Sequence, residues 1–537
     1  MSDINLCVIK LARLLFGEVV EHVVSCLAQK GGAPLRDIIQ RSKLSKDEVK
    51  NSLCILLQHD LIDYTLSNTN GYLYRLKIDR ILLCNRYPRY IYASKFLFGD
   101  IAELIVEEIL LNGQIIKNEL LDQIKSRLAD IVEKDNTPPD PTEVDTAFDE
   151  LARNNFIIEV GGGRMLVKSE VEQVDKMTPT TNNKPSEEVS TPKKGNKRQR
   201  SEDIPSAPVS KRLHLEEGTN EINYMPSIDE SQSFWRVNFS RFHIHFRNEM
   251  IVEVIGKKYD SIAAAIMRSM LELDANPQES DIITNAVRLK EIKSHLPKEV
   301  NVTKSILEEY LTILHEDKQL NTGDPDILHI FSEIVKRTLE CLVQQRFGSN
   351  FGRIFRIIVH KKSLEQKKIC DMAMLPSKDA KAILYTLMVE KFIRMQEIPR
   401  SLDCVASKTF HLFSLDILDT CTVVLSRSYK AIANSIIRRD WEVNSNRQRE
   451  MRLLDKSERL KTMKKSVLAN TDGNVSIDET IRELEESITP IESQQLKILR
   501  EKFDRLDYSE MQVDATIFSL RTFLYLSRVQ AKDLTAK

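Results

Sequence analysis

The residues of this sequence that could do chemistry are mainly positive charges, and the densest run of them lies between residues 426 and 466. Twelve Lys and Arg stand beside five Asp and Glu there, a local net charge of +7. Such a run is most commonly the solvated surface of a helix, but it also suits an acidic protein tail or a nucleic-acid backbone. The candidate contact residues are Arg438, Arg439, Arg447, Arg449 and Arg452.

A second basic cluster lies inside the segment 171–233. This segment is rich in Pro, Ser, Thr, Asn and charge and has no hydrophobic periodicity, so we predict a disordered basic linker. Its cluster is of the type that directs nuclear import, although a charged linker that merely stays solvated fits the same residues. The import candidates are Lys193, Lys194, Lys197, Arg198 and Arg200, followed by Lys211 and Arg212.

No catalytic constellation accompanies these charges. The sequence contains no G-x-S-x-G, G-x-x-x-x-G-K-[ST] or H-E-x-x-H motif. The glycines at 161–163 lead into the strand-like 165–167 rather than into a helix, which favours a hairpin turn over a phosphate cradle. His243 and His245 would point to different faces of a helix and have no acidic or cysteine partner at ligand spacing. We therefore expect no enzyme activity, no cofactor and no metal.

The composition favours a helix-rich intracellular protein of several modules. At about 150 residues per domain, 537 residues exceed a single core, and a hydrophobic share of 42% is enough to bury several. Only 6% aromatic residues, with 16 Gly and 17 Pro, disfavour an all-β chain. The eight cysteines form no C-x-x-C pair and no zinc-spaced cluster. No signal-peptide pattern and no run of 18 apolar residues occurs, so we expect no membrane partner. The net charge of −1 excludes a uniformly basic protein of the histone kind.

The elements that would position these residues repeat along the chain. We predict a short helix at 34–41, a second helix that Ser45 caps, and two strands at 61–66 and 72–78 around a turn. Helices followed by a β-hairpin are the order of a winged helix. The unit returns with helices at 102–113, 119–131 and from about 142, and with strands at 156–158 and 165–167.

Two further copies follow the linker. In one, Ser377 caps a helix that precedes strands at 392–393 and 410–415. The other has helices at 248–259, 261–273 and 303–315 but little sign of a wing. We predict a mainly α fold with small β-hairpin wings: four tandem winged-helix domains and a C-terminal antiparallel coiled coil. The predicted domains are 1–85, 86–170, 234–326 and 327–415 for the winged helices, 171–233 for the linker and 416–537 for the coiled coil.

The last segment has the apolar spacing of paired helices. Leu453, Leu460, Met463 and Val467 form one seam, and a turn at 470–474 precedes the seam of Ile481, Leu484, Ile488 and Ile491. The pattern resumes at Leu496, Leu499, Phe503 and Leu506. The basic run 426–466 therefore lies on a predicted helical hairpin.

The charges of the four candidate recognition helices argue against reading of base sequence. Helices 142–153 and 303–317 each carry a net charge of −3, helix 45–59 is balanced, and helix 377–391 carries only +1. Reading a major groove requires Arg, Lys, Asn or Gln at the base edges and positive charge at the phosphates. We therefore expect any binding of nucleic acid to be independent of sequence.

Seven strings distributed from residue 86 to residue 518 carry a family resemblance. They are RYPRYIY (86–92), AELIVEEILLNG (102–113), RFHIHFR (241–247), QQRFG (344–348), QEIP (396–399), YKAIANSIIRR (429–439) and QVDATIF (512–518). The chain resembles the third peripheral subunit of DNA-directed RNA polymerase III, the large winged-helix member of the enzyme's initiation heterotrimer. The resemblance covers essentially the whole chain.

The resemblance implies a non-catalytic nuclear protein. Members of this family form a heterotrimer with two other subunits, one with winged helices and one small with an acidic tail. This trimer sits on the polymerase clamp, contacts the initiation factor and assists promoter opening for tRNA, 5S rRNA and other small RNAs, with affinity for single-stranded DNA. The organisation is also similar to the alpha subunit of general transcription factor E. The alternative is a winged-helix scaffold or transcription factor outside the polymerase.

Overall fold

The computed structural model describes residues 2–67, 71–132, 141–160, 233–273, 288–296, 303–316, 327–399, 409–445, 459, 462 and 490–536. These residues fold into helices and three small three-stranded sheets, so the prediction of a mainly α protein with small β wings is confirmed. The chain divides into two compact units, Met1–Ile158 with Trp235–Lys537 and Glu159–Phe234. The contacts discussed below lie within the first unit.

Nine described α-helices precede the predicted linker and ten follow it. The first set is α1 (Asp3–Phe16), α2 (Glu18–Lys30), α3 (Leu35–Ser42), α4 (Lys46–Gln58), α5 (Ile78–Leu83), α6 (Tyr87–Phe98), α7 (Asp100–Asn112), α8 (Lys117–Val132) and α9 (Pro141–Arg153). The second set is α10 (Phe239–Lys258), α11 (Ser261–Glu272), α12 (Leu289–His295), α13 (Lys304–Glu316), α14 (Ile327–Phe347), α15 (Ser349–Lys361), α16 (Gln366–Ala373), α17 (Ser377–Val389), α18 (Ile417–Ser445) and α19 (Pro490–Ala536).

Each sheet joins a short strand to a hairpin-like pair. The strands are β1 (Ala33–Pro34), β2 (Ile62–Ser67), β3 (Gly71–Leu76), β4 (Ile115–Ile116), β5 (Ile157–Val160), β6 (Phe234–Val237), β7 (Ser363–Glu365), β8 (Arg394–Pro399) and β9 (Thr409–Ser414). Their orders are β1-β3-β2, β4-β6-β5 and β7-β9-β8.

The first winged unit forms where the sequence predicts it. The Ser45 hydroxyl accepts from the Glu48 backbone N–H while the Glu48 carboxylate accepts from the Ser45 N–H, a capping box that fixes the start of α4. Strands β2 and β3 pair antiparallel with Tyr64 opposite Tyr74. The apolar faces of α1–α4 are buried together with residues of α18. This module therefore has no closed core of its own, because a C-terminal helix completes it.

The second winged unit differs from the prediction at its last strand. Residues 165–167, where we predict that strand, lie outside the described residues. The strand beside β5 is β6, which begins at Phe234, and the Asn238 backbone N–H donates to the Phe156 carbonyl over 2.9 Å. The segment predicted as the third domain therefore begins with a strand that belongs to the second sheet. Strands β5 and β6 are separated by the 73 residues 161–233, so no short stretch of sequence indicates that they pair.

The third and fourth units share one large core. Phe331, Phe355 and Phe392 are fully buried in it with residues of α10, α11 and α19. No described strand accompanies α11–α13, in line with the missing wing. In the fourth unit the predicted cap was wrong: Pro376 is the N-cap and Ser377 is the first helical residue of α17. The strand predicted at 392–393 begins instead at Arg394, and Phe392 and Ile393 are buried in the core between α17 and β8.

Two long helices cross the whole first unit. Helix α18 packs against α1 and α19, and Leu496 and Leu499 of the predicted seam are buried while Phe503 and Leu506 are half-buried. The seam residues Leu453, Leu460, Met463 and Val467, the turn 470–474 and the seam residues Ile481, Leu484 and Ile488 lie outside the described residues. The fourth residue of that second seam, Ile491, is 69% exposed, so the prediction that it packs in a seam was wrong. Helix α19 contributes to the three larger cores and α18 to two of them, so together the two helices act as the spine of the first unit.

Candidate interaction surfaces

Helix α18 carries two of the predicted contact residues, and the structure pairs both with carboxylates of the same chain. The Arg439 guanidinium contacts Asp507 and lies 3.1 Å from the Glu510 carboxylate on α19. Arg438 contacts Glu442 one turn later and lies over the Trp441 ring, 4.6 Å from its centroid. The two predicted contact residues that lie on α18 are therefore neutralised within the molecule.

Glu442 receives a second cation. The Lys502 ammonium of α19 lies 3.4 Å from its carboxylate, and the Glu442 side chain is 4% exposed. Burial raises the pKa of Glu442, but the hydrogen bonds from Arg438 and Lys502 outweigh it and leave the pKa below its usual value. These pairs hold the start of the predicted hairpin together.

The remaining predicted contact residues fall outside the described part of the chain. These are Arg447, Arg449 and Arg452 of the basic run and the import candidates Lys193, Lys194, Lys197, Arg198 and Arg200. The glycines at 161–163 lie there as well. Their interpretation therefore stays a prediction.

Sequence reasoning missed a buried ion pair that joins two of the family strings. Arg86 comes from RYPRYIY and Asp514 from QVDATIF, 428 positions apart, and their side chains meet at 2.8 Å with 4% and 6% exposure. Arg89 reaches the other carboxylate oxygen of Asp514 at 2.9 Å, and the Arg86 guanidinium lies 4.9 Å from the Phe518 ring centroid. Burial works to lower the pKa of Arg86, but the Asp514 charge raises it above the ordinary value. Arg86 therefore stays charged.

The third string, RFHIHFR, packs beside this pair. The Tyr90 hydroxyl lies 2.9 Å from His243 Nε2, and the Tyr90 ring stacks on Phe246 at 5.9 Å between centroids. Phe246 in turn meets Phe518 edge to face. Three strings that are far apart in sequence thus form one aromatic junction between the second module, α10 and α19. The family strings themselves were the only sequence signal for this junction.

The two histidines of that string have separate surroundings, as their spacing predicts. His243 faces the aromatic junction, whereas His245 lies 3.6 Å from Glu249 one turn along α10. Burial lowers the pKa of His245 and outweighs the opposing effect of Glu249. Within the ranges that the structure describes, no group of three or more His, Cys, Asp or Glu is arranged to hold a metal ion.

A basic cleft opens next to the junction. It has a volume of about 650 Å³ and lies between α5, the segment from β6 into α10, and the outer face of α19. Among the described residues, the cleft is lined by one carboxylate, that of Asp79, and by six arginines. These arginines are Arg80, Arg86, Arg236, Arg247, Arg521 and Arg528.

The cleft arginines are close enough to repel one another. Burial, and after it the charge of Arg80, lower the pKa of Arg236. The Arg80 guanidinium also lies 5.3 Å from the centroid of the Phe239 ring. Since these residues are dispersed from position 80 to position 528, no sequence window reveals the cleft.

The candidate recognition helix of the second module, α9, is acidic on its surface. Helix α9 buries Val144, Phe148 and Leu151 and leaves Glu143 and Glu150 exposed. Its Asp149 pairs with Lys117 at 3.2 Å. This arrangement keeps negative charge where a groove-reading helix would meet phosphates.

The described helices include none that is long and apolar enough to cross a bilayer.

Comparison with known proteins places relatives along nearly the whole chain. The matching family models are the RNA polymerase III subunit RPC82 helix-turn-helix domain (residues 6–67), RNA polymerase III subunit RPC82 (146–375), the POLR3C C-terminal winged-helix domain (339–415) and the helical hairpin domain of DNA-directed RNA polymerase III subunit RPC3 (452–519).

Individual relatives agree with these models. DNA-directed RNA polymerase III subunit RPC3 of Mus musculus is 36% identical over 544 residues, 97% of this chain and 98% of the mouse protein. The Homo sapiens protein of the same name is 35% identical over 540 residues with the same coverage. That of Dictyostelium discoideum is 28% identical over 231 residues, 39% of this chain and 35% of the relative.

Proposed function

The chain belongs to the RPC3 family of RNA polymerase III subunits, and we propose that it is a non-catalytic, architectural subunit of that enzyme. The observation that carries the proposal is 35–36% identity across 97% of the chain to relatives named as this subunit. A subunit of this kind contributes surfaces rather than bond-breaking groups. The sequence, which lacks the common nucleophile, phosphate-loop and zinc-protease motifs, agrees with that role.

We propose further that the protein acts within a heterotrimer with two other subunits on the polymerase clamp. There it would contact the initiation factor and serve recruitment, promoter opening and initiation at tRNA, 5S rRNA and other small-RNA genes. The two-helix spine supports this role, since α18 and α19 hold the modules in one fixed arrangement that a larger machine can dock against.

The contact with DNA in this proposal is independent of sequence. The exposed acidic residues of α9 disfavour groove reading, so binding would rely on phosphate contacts to single-stranded or melted promoter DNA. Arg447, Arg449 and Arg452 remain candidate contacts with DNA or an acidic partner. The proposed location is the nucleus, with import through the basic cluster from Lys193 to Arg200.

Affinity purification of the tagged full-length chain followed by mass spectrometry tests the assembly. Under this proposal the core subunits of RNA polymerase III and two smaller partners dominate the recovered proteins. A scaffold or a free transcription factor would instead recover other proteins, and that result would refute the proposal. Random-sequence selection on duplex DNA provides the second discriminator, because a free site-specific factor would enrich a motif and a polymerase subunit of this kind would not.

A further inference from the structure

We propose that the basic cleft binds the backbone of single-stranded nucleic acid, with Arg521, Tyr525 and Arg528 of α19 as its outer wall. This inference deepens the proposed function, on which it rests, by adding a contact site at a place that the sequence does not mark. The three residues lie at positions i, i+4 and i+7 and therefore on one face of the helix, over a length of about 10 Å.

The charge around the cleft is positive even after its ion pairs are counted. Asp60 alone contacts three cations: Lys77 at 2.6 Å, Arg236 at 3.4 Å and Arg80 at 3.6 Å. A single carboxylate therefore balances one of three charges there.

The other two carboxylates are shared less unevenly, by two cations and by one. Asp514 serves both Arg86 and Arg89, and Asp79 serves Arg521 at 2.6 Å. Arg528 has no carboxylate partner among the described residues and is exposed. Six cations thus share three carboxylates, Arg528 adds one more, and an anion entering the cleft would find guanidinium groups that are not neutralised.

An exposed aromatic side chain at the cleft favours a nucleic acid over an acidic peptide. Tyr525 is 41% exposed between Arg521 and Arg528, whereas the Phe239 ring already lies under Arg80 and stacks on Tyr87 at 6.0 Å, so Tyr525 is the ring that a base would meet. Bases stack on such rings whatever their sequence, whereas a run of Asp and Glu would use the cations alone. A cleft of about 650 Å³ has the size of a small-molecule site, so it takes a short length of one strand and not a duplex.

The pairing of the α18 arginines with carboxylates supports the cleft as the site of phosphate contact. Arg438 and Arg439 already contact Glu442, Asp507 and Glu510, and a phosphate would have to displace those carboxylates. At the cleft, Arg528 can reach a ligand without displacing a carboxylate, and the only carboxylate that contacts Arg521 among the described residues is the exposed Asp79. The cleft is therefore the better phosphate site of the two.

The test measures binding of a fluorescein-labelled oligothymidylate of about 16 nucleotides to the purified full-length chain across a salt series. Replacing both Arg521→Ala and Arg528→Ala should lower the magnitude of the log-log salt slope by about 1.4, since each phosphate contact to a single strand contributes about 0.7. Tyr525→Ala should weaken binding by about fivefold or more and leave the slope unchanged.

A matched control lies on the same helix outside the cleft. Arg500→Ala with Arg505→Ala removes the same net charge from exposed positions of α19 and should leave the slope at the wild-type value. Circular dichroism melting of each variant confirms folding. If this control lowered the salt slope equally, or if only Arg438→Ala with Arg439→Ala lowered it, the cleft assignment would be overturned. Binding of single strands by the protein would still stand.

Two further outcomes separate the cleft from the proposed function. Absence of oligothymidylate binding by the wild-type chain would remove the single-strand part of the proposed function together with the cleft proposal, while the mass-spectrometric test of assembly stands alone. If poly-glutamate binding depends on Arg521 and Arg528 while oligothymidylate binding does not, the cleft is a site for an acidic protein and the proposal is wrong.

Discussion

The two long helices α18 and α19 use arginine in opposite ways. On α18, Arg439 is held by Asp507 and Glu510, so the part of the basic run that lies on this helix is paired with acidic residues of the same chain. On α19, Arg528 lies exposed at a cleft where cations outnumber the carboxylates that contact them. The local charge count of a segment therefore does not locate a positive surface. The distribution of carboxylates across the folded chain does.

The largest effect is expected at the buried pair that anchors α19. Replacing Asp514→Ala leaves the Arg86 guanidinium buried without its counter-charge, and breaking such a pair from one side costs about 3–5 kcal/mol of unfolding free energy. Urea denaturation followed by circular dichroism measures it. Asp504→Ala on the exposed face of the same helix is the control and should change the free energy by less than about 0.5 kcal/mol. Equal effects of the two substitutions would mean that the anchor does not form in solution.

A smaller effect is expected where α18 meets α19. Arg439→Ala removes the cation beside the largely buried Glu510, and loss of hydrogen bonds to a charged group costs about 1.5 kcal/mol. Arg438→Ala should cost less, because that side chain is 57% exposed and Lys502 still contacts Glu442. Urea denaturation of both variants ranks them. If Arg438→Ala lowered the unfolding free energy more than Arg439→Ala, the ion pairs between α18 and α19 would depend on Glu442 rather than on Glu510.

The smallest effect is a change in the pH dependence of stability. Because the folded-state pKa of Glu442 lies below its ordinary value of 4.5, its contribution is present above that pH and is lost as the pH falls through the folded-state pKa. Glu442→Gln should therefore flatten the acid limb of the stability curve, measured by urea titrations from neutral to acid pH. An unchanged acid limb would argue that Arg438 and Lys502 do not hold the carboxylate.

Local features of the fold were predictable from neighbouring residues. Ser45 with Glu48 marks the start of α4, and the alternating residues around a Gly-containing turn mark β2 and β3. Helix α10, by contrast, begins at Phe239, nine residues before the predicted start, since its first turns are stabilised by the aromatic junction rather than by an amphipathic pattern of their own.

The candidate site was less predictable than the fold. Arg438 and Arg439 were singled out by charge density, yet the α19 carboxylates that cover Arg439 lie about 70 positions further along the chain. The cleft residues Arg80, Arg236 and Arg528 belong to three distant segments, so their combined positive charge does not show in any one stretch of sequence.

By itself the sequence determined the class of the protein: a helix-rich set of winged modules without a catalytic motif, and the family to which its strings belong. These properties are encoded by residues a few positions apart, through hydrophobic period, capping and turn chemistry. Only the tertiary structure decided which charges are balanced and which are not. Coulomb energy depends on distance in space, and folding brings Asp514 to Arg86 while it leaves Arg528 in the open.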